Sequence, residues 1–176
     1  MVEISLKLWY NGHHKDKGGI ALSYARFYFR DPSAPKPNRP TRLGVNALVE
    51  WDGKLLMERR RDCDTWGLVG GGVKGRETES RAMARELWEE TGLWLPPDAF
   101  RRLRVYGDGD RIASFRDGSV WRMVIVLYHV LLENQPYLRV SKESRELAFF
   151  SREELKRLEI VCTHRELVEL FLDWCP

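Results

Sequence analysis

Three glutamates, Glu86, Glu89 and Glu90, occur within five residues of sequence and could together bind a cation. The stretch from Glu77 contains no Gly or Pro before Gly92, is rich in residues of high helix propensity, and predicts a helix that stops at Gly92. Positions i, i+3 and i+4 of a helix share one face, so the three carboxylates line one acidic stripe. A hard divalent cation, Mg²⁺ or Mn²⁺, would offset their repulsion and suit their oxygen ligands. A solvated acidic helix face is the alternative.

A different arc of the same predicted helix is apolar. It carries Met83, Ala84, Leu87 and Trp88, which we expect to pack against a β-sheet. If that arc is buried, the acidic stripe faces whatever lies at the edge of the sheet.

Four glycines, Gly70, Gly71, Gly72 and Gly75, precede this helix. Glycine adopts positive φ without strain and lets backbone N–H groups approach an anion closely. A glycine cluster alone is a weak indication of function. In a loop before the acidic helix, Gly70, Gly71 and Gly72 are candidates to bind an anion such as phosphate.

The spacing of these residues follows the pattern G-x5-E-x7-R-E-U-x-E-E-x-G-U, in which U is aliphatic. The matching residues are Gly71, Glu77, Arg85, Glu86, Leu87, Glu89, Glu90, Gly92 and Leu93. This segment resembles the Nudix box of the Nudix hydrolases, which use divalent metal to cleave a nucleoside diphosphate linked to another group. The resemblance implies an α/β fold, an α/β/α sandwich with a mixed β-sheet.

The resemblance also implies roles for single residues of the box. Glu86, Glu89 and Glu90 are expected to bind the metal, with Glu77 supporting the loop and in possible contact with a metal. Arg85 is expected to orient the carboxylates. Because Glu77 and Arg85 are eight residues apart, the spacing alone does not assure an ion pair between them.

The expected reaction is attack of a metal-activated water on a phosphorus atom of a diphosphate or polyphosphate. That water must lose a proton to a base. Glu86 is the most plausible base within the box, and Glu143 or Glu146, in SKESRELAFF, is the alternative outside it. Either of the latter two could equally be a solvated loop charge.

A run of three arginines from 59 to 61 ends an apolar strand just before the glycine loop. Alternate side chains of a strand point to opposite faces, so one of them, Arg60, is a candidate to bind a phosphate. A solvated strand end is the equally weighted alternative.

The rest of the chain predicts the elements that position the box. The segment 31–40 contains four prolines and predicts an extended linker. LGVNALVEW and KLLMERR, joined by Asp52-Gly53, predict a hairpin, and VWRMVIVLYHVLL predicts a long buried strand. SREELKRL has the residues of a capping box, Ser151 and Glu154, and THRELVELFLDW predicts a closing helix. We therefore divide the chain into an N-terminal extension and linker, 1–40, packed on a Nudix domain, 41–176.

Composition excludes several classes of protein. With 176 residues, 43% of them hydrophobic, and no apolar run near the 18 or so residues of a membrane span, we expect one soluble domain. The N-terminus lacks a signal peptide, which favours a cytoplasmic location. Cys63, Cys162 and Cys175 show no CxxC spacing, which argues against zinc and a disulfide framework. A net charge of +3, with dispersed basic residues, suits a small anionic substrate better than nucleic acid.

The substrate stays open between a nucleoside triphosphate, ADP-ribose and a nucleotide sugar. A second function from another class is a non-catalytic module that senses a nucleotide metabolite, although such a module is expected to lose box glutamates. An RNA-binding role would need a basic aromatic groove. The first thirty residues, outside the resemblance, have three open roles: to cap the sheet, to form the arm of a homodimer, or to shape the substrate pocket.

Overall fold

The computed structural model describes residues 24–174. Nine strands run through this part of the chain: β1 Ala25–Phe29, β2 Arg42–Trp51, β3 Lys54–Arg60, β4 Trp66–Gly67, β5 Gly70–Gly72, β6 Arg101–Tyr106, β7 Arg111–Phe115, β8 Val120–Leu132 and β9 Ser144–Phe150. The helices are α1 Glu79–Thr91, α2 Arg152–Arg157 and α3 Cys162–Asp173, with one 3-10 turn at Pro97–Ala99.

The strands form one mixed sheet. Its main order is β1-β7-β8-β2-β3-β4, with β5 paired to β2, β6 to β8 and β9 to β3. The long pair β2 and β8 is parallel over ten residues, and the other pairs are antiparallel. Because β5 is antiparallel to the first half of β2, the three glycines lie at the edge where β2 begins.

Two apolar cores lie on the two faces of the sheet. On one face, Met83 and Leu87 of α1 pack with Val45, Ala47 and Val126. On the other face, α2 and α3 pack on the sheet through Leu155, Leu167, Val168 and Phe171, together with Leu48, Leu127 and others. Helices therefore cover both faces of a mixed sheet, which confirms the α/β/α sandwich implied by the resemblance.

The hairpin of β2 and β3 forms where its local signal predicted. Asp52 and Gly53 both have positive φ, at 50° and 68°, as a two-residue hairpin turn requires. The capping box of α2 is also present, with Ser151 and Glu154 exchanging hydrogen bonds as expected.

The helix of the box differs from its prediction in two details. It begins at Glu79, two residues after the predicted start, because the Thr78 hydroxyl accepts the Arg81 N–H and leaves Glu77 in the preceding turn. It ends at Gly92, whose φ is 72°, as predicted. The expected burial of Trp88 is wrong: this side chain is 49% exposed, and Ala82 completes the buried face instead.

The N-terminal region contributes one strand to the sheet within the described residues. β1 pairs in antiparallel register with β7, from Ala25 opposite Phe115 to Phe29 opposite Arg111. Residues 1–23 of the predicted extension lie outside the described part of the chain. In residues 24–174, no helix has the length and apolar character needed to cross a membrane.

Candidate functional site

The candidate site is built around the three glycines of β5. A Cβ atom on Gly71 would lie 2.5 Å from the carboxyl carbon of Glu86, and a Cβ on Gly70 would lie 2.0 Å from the Val45 carbonyl oxygen. The Gly70 N–H donates to Glu90 Oε2 at 2.8 Å. The absence of side chains on β5 thus lets the carboxylates of α1 approach its backbone closely.

One arginine holds three glutamates of the box. Arg85 donates to both oxygens of Glu77, at 2.6 and 3.1 Å, to Glu86 Oε1 at 2.6 Å and to Glu89 Oε2 at 3.1 Å. It also donates to the Gly72 carbonyl at 3.0 Å, which ties α1 to β5. The pairing of Arg85 with Glu77 is formed across eight residues because Glu77 lies outside the helix.

Burial differs among these carboxylates and changes their pKa values. Burial raises the pKa of Glu86, against the opposing hydrogen bond from Arg85. The pKa of Glu90 lies well above its ordinary value because the side chain is buried and because Glu58 is nearby. Glu77 shows the reverse: its hydrogen bonds from Arg85 lower its pKa. Glu89 is the most exposed of the four.

A further carboxylate, Glu58 of β3, lies beside Glu90 and was missed by the sequence analysis. It is 1% exposed, and its Oε1 accepts from the Ser144 hydroxyl at 2.6 Å. Its Oε2 is buried without a hydrogen-bond partner in the described part of the chain, with Arg60 Nη1 at 3.9 Å. Burial raises the pKa of Glu58. The sequence contains one indication of this position, because the alternation of side chains along the predicted strand places Glu58 on the same inward face as Leu56.

The donor set fits a hard divalent cation in its chemistry. Carboxylate oxygens are the ligands of Mg²⁺ and Mn²⁺, and the buried, unpartnered oxygen of Glu58 lies near the carboxyl group of Glu90. Among residues 24–174, however, no three acidic, His or Cys side chains are grouped closely enough to hold an ion as they stand. Arg85 and the Gly70 N–H engage Glu86 and Glu90 instead.

The two predicted loop glutamates lie in different surroundings. Glu143 is exposed in the turn before β9, where its N–H donates to Ser141 and its carbonyl accepts the Arg61 N–H. Glu146 lies within β9, opposite Arg59. Since Phe150 packs in the core beneath α3, strand alternation turns Glu146 to that face, away from α1.

Arg60, the predicted phosphate-binding residue, has carboxylate partners of its own. It donates to both oxygens of Asp62, at 3.0 and 2.7 Å, and its guanidinium lies 5.5 Å from the Phe27 ring centroid. Burial alone would lower its pKa, but Asp62 and Glu58 raise it. Arg60 would have to leave Asp62 to form a bidentate contact with phosphate.

Comparison with known proteins agrees with this geometry at the level of the family. The NUDIX domain model matches residues 40–171. An ADP-ribose pyrophosphatase of Methanocaldococcus jannaschii is 30% identical over 135 residues, which cover 75% of this chain and 73% of that protein.

Two further similarities are shorter or more distant. A MutT-like protein of Streptomyces ambofaciens is 47% identical over 54 residues, 31% of this chain and 35% of that protein. A bifunctional NMN adenylyltransferase/ADP ribose pyrophosphatase from Francisella tularensis, complexed with AMP and a Mn ion, superposes with a TM-score of 0.65 at 23% identity. That match covers 78% of this chain and 43% of the Francisella chain, so the similar segments span less than half the length of either protein.

Proposed function

The chain belongs to the Nudix family, and from that premise we propose that it is a divalent-metal-dependent pyrophosphohydrolase. The bond it cleaves is the diphosphate linkage between a nucleotide and another group. The observation that carries the proposal is the close approach of Glu86 and Glu90 to a strand of three glycines.

This arrangement suits a phosphate group for a physical reason. Carboxylates repel phosphate, and they are useful beside it only when a cation lies between them. The glycines supply the complementary half, because a backbone without side chains lets a diphosphate approach closely. Carboxylates and glycines together therefore favour a metal-bound diphosphate over a neutral substrate.

We assign the metal to Glu86, Glu89 and Glu90, with Glu77 in a supporting position. When bound, Mg²⁺ or Mn²⁺ would lower the pKa of a water and neutralise charge on the phosphate oxygens. Arg85 orients three of these carboxylates through its hydrogen bonds, and Gly70 N–H orients Glu90. Both contacts must loosen or share their oxygens when the ion binds.

Proton removal from the attacking water requires a base near the glycines. We propose Glu86, whose carboxylate lies directly against Gly71. Glu143 is the second candidate because its loop adjoins Ser144, which donates to Glu58. Glu146 has the weaker case, since its side chain belongs to the opposite face of β9.

ADP-ribose is the first substrate we propose. The Methanocaldococcus relative, similar over three quarters of this chain, carries that activity in its name. Nucleoside triphosphates and nucleotide sugars contain the same diphosphate linkage and are the substrates to compare with it.

A substrate screen tests the proposal. Purified full-length protein is incubated with ADP-ribose, nucleoside triphosphates, nucleotide sugars and dinucleoside polyphosphates, with Mg²⁺, Mn²⁺ or EDTA. We expect metal-dependent release of AMP and ribose 5-phosphate from ADP-ribose, and none with EDTA. Glu86→Gln and Glu143→Gln are assayed in parallel at saturating Mg²⁺, and the base is the residue whose substitution removes the acidic limb of the kcat–pH profile.

The alternative of a non-catalytic sensor predicts a different result. Tight binding of ADP-ribose without product release, for every substrate and both metals, would overturn the enzyme proposal and favour the sensor. Turnover that persists in EDTA would overturn the metal assignment.

A further inference from the structure

Arg42, at the start of β2, lies on the side of β5 opposite to Glu86. Gly72 is directly opposite Gly44 in the register of β2 and β5, and Arg42 precedes Gly44 by two residues, so all three share one face. A Cβ on Gly72 would lie 2.7 Å from Arg42 Nη2 and 2.8 Å from its Nε. The guanidinium therefore rests against the backbone of the glycine strand.

Trp121 of β8 holds the other side of this guanidinium. The Arg42 Cζ lies 5.6 Å from the centroid of the Trp121 ring, a cation–π distance. The contact follows from the parallel pairing of Arg42 with Met123, because Trp121 lies two residues before Met123 on the same face of β8. Tryptophan and glycine thus contact the guanidinium on two sides without using its N–H donors.

The charge of Arg42 is not matched by an acidic group in residues 24–174. Arg85 and Arg60 both donate to carboxylates, whereas the contact recorded for the Arg42 guanidinium is the Trp121 ring. Arg42 is also exposed, and within residues 24–174 its guanidinium N–H groups donate no hydrogen bond. A fixed guanidinium with free donors is suited to bidentate binding of a phosphate group.

Gly71 and Gly72 separate the two charges of the site by only the backbone of one strand. Glu86 lies against the first glycine, and Arg42 lies against the second, on opposite faces. Neither glycine has a side chain that would block a ligand lying along the strand. A diphosphate contains two phosphate groups. The carboxylates on one side of this strand suit the phosphate that binds the metal, and the Arg42 guanidinium on the other side suits the second phosphate.

We propose that Arg42 binds the phosphate group of the substrate that does not bind the metal, and that Trp121 holds its guanidinium in position. The inference rests on the proposed function for the identity of the substrate. It assigns substrate recognition to two residues outside the box, on strands β2 and β8.

The chain offers a matched control at the far end of the sheet. Arg101 of β6 lies over the Trp174 ring at 4.7 Å, so it is also an exposed arginine in contact with a tryptophan. Arg101 pairs with His129, far along β8 from Trp121. Arg101→Gln removes the same kind of charge and ring contact without touching the glycine strand.

Equilibrium binding of ADP and of inorganic pyrophosphate, measured calorimetrically with Mg²⁺, tests the inference. We expect Arg42→Gln to weaken both ligands by about 10- to 100-fold, the range for hydrogen bonds to a charged group. Arg42→Lys keeps the positive charge but loses the paired N–H donors of the planar guanidinium. Its affinity for each ligand should therefore lie between those of wild type and Arg42→Gln. Trp121→Leu should weaken binding less than Arg42→Gln, and Arg101→Gln should match wild type.

In turnover of ADP-ribose, KM should rise more than kcat falls for Arg42→Gln.

Unchanged affinity in folded Arg42→Gln would overturn the inference, as would an equal loss in Arg101→Gln or a wild-type protein that binds neither ligand. If Arg42→Gln fails to fold, wild-type affinity in Arg42→Lys and in Trp121→Leu would overturn it equally. Binding that depends on Arg42 in a protein without hydrolysis would instead leave the inference standing and contradict the proposed function.

Discussion

Two clusters in this molecule are built from the same kind of ion pair, between an arginine and carboxylates, but differ in burial and in charge balance. The Arg85 cluster joins Arg85 to Glu77, Glu86 and Glu89 beside the glycine strand. The Arg111 cluster joins Arg111 of β7 to Asp108 and Glu166, and to the Thr163 carbonyl of α3.

The two clusters differ in enclosure and in charge balance. Arg111 is completely buried, and its guanidinium is flanked by the rings of Phe29 at 4.4 Å and Tyr106 at 5.0 Å. A second cation, Arg30, lies within 3.9 Å of both of its carboxylates. The Arg111 guanidinium is therefore closed to ligands, and its two carboxylates are matched by two cations.

The Arg85 cluster keeps an excess of negative charge. Its cations are Arg85 and the exposed Lys74, 3.5 Å from Glu89, against three carboxylates, with two more buried carboxyl groups, Glu58 and Glu90, close by. Glycine backbone covers it instead of aromatic rings. A buried cation with matched carboxylates stabilises the fold, whereas an open cluster with excess negative charge suits a cationic ligand. Loss of the first should lower stability, and loss of the second should lower activity.

The largest expected effect is on activity. Glu90→Gln removes a carboxylate of the acidic site and should lower kcat by about 100- to 1,000-fold, as loss of a group that stabilises charge in the transition state does. The free energy of unfolding should change by less than about 1 kcal/mol, because glutamine can still accept the Gly70 N–H. Steady-state kinetics measure kcat, and urea unfolding measures the free energy of unfolding. Near wild-type turnover would contradict the assignment, and Glu169→Gln, at an exposed position of α3, is the matched control.

The Arg111 cluster should show the reverse pattern. Arg111→Met leaves Asp108 and Glu166 without their main partner, and we expect a loss of about 2–3 kcal/mol in the free energy of unfolding, below the value for fully buried pairs because both acids are partly exposed. Arg30→Gln, at an exposed ion pair, should cost less than about 0.5 kcal/mol. Urea unfolding measures the free energy of unfolding of both variants and of wild type. Equal stability of Arg111→Met and wild type would remove the distinction between the clusters.

A third change tests the glycine backbone that covers the acidic site. The Cβ of Gly71→Ala would meet the Glu86 carboxylate at 2.5 Å, so Glu86 must move, and we expect kcat/KM to fall about tenfold. Gly107→Ala is the control, since its Cβ would meet Val124 at an ordinary 3.8 Å. If both variants keep wild-type kcat/KM, close approach to Gly71 is not needed for function.

His164 of α3 lies near Arg60 and Arg111, and its titration should affect stability less than the changes above. Its Nδ1 accepts the Leu68 N–H, and burial lowers its pKa to about 3. An unfolded histidine titrates near 6.5, so the unfolded state binds the proton first and stability is lost as pH falls below that value. Between pH 6 and 5 the loss is about 1 kcal/mol. His164→Asn keeps an acceptor and should lack this loss. A variant with the wild-type pH dependence would contradict it.

Local signals in the sequence sufficed for the box helix and the hairpin. Gly92 ends α1, and Asp52-Gly53 forms the turn, because each residue's own backbone preference determines the structure there. The predicted burial of Trp88 was wrong because helical periodicity indicates which side of a helix is apolar but not how much of that side the sheet covers.

The candidate site was only partly predictable for a different reason. The box glutamates follow from spacing within twenty-three residues, but the neighbours of the site come from distant strands. Glu58 reaches Glu90 from β3, and Arg42 meets Trp121 through the parallel pairing of β2 with β8. Such contacts depend on strand order, which one sequence does not determine. The pairing of β1 with β7 is of the same kind.

Binding of a divalent metal by the Arg85 cluster and Glu90 can be measured by titration with Mn²⁺ followed by electron paramagnetic resonance. Wild type, Glu90→Gln and Glu146→Gln are compared as full-length proteins without substrate. We predict that Glu146→Gln binds Mn²⁺ as wild type does and that Glu90→Gln binds it at least about tenfold more weakly. Equal affinity in all three proteins, or no binding to wild type, would contradict the account.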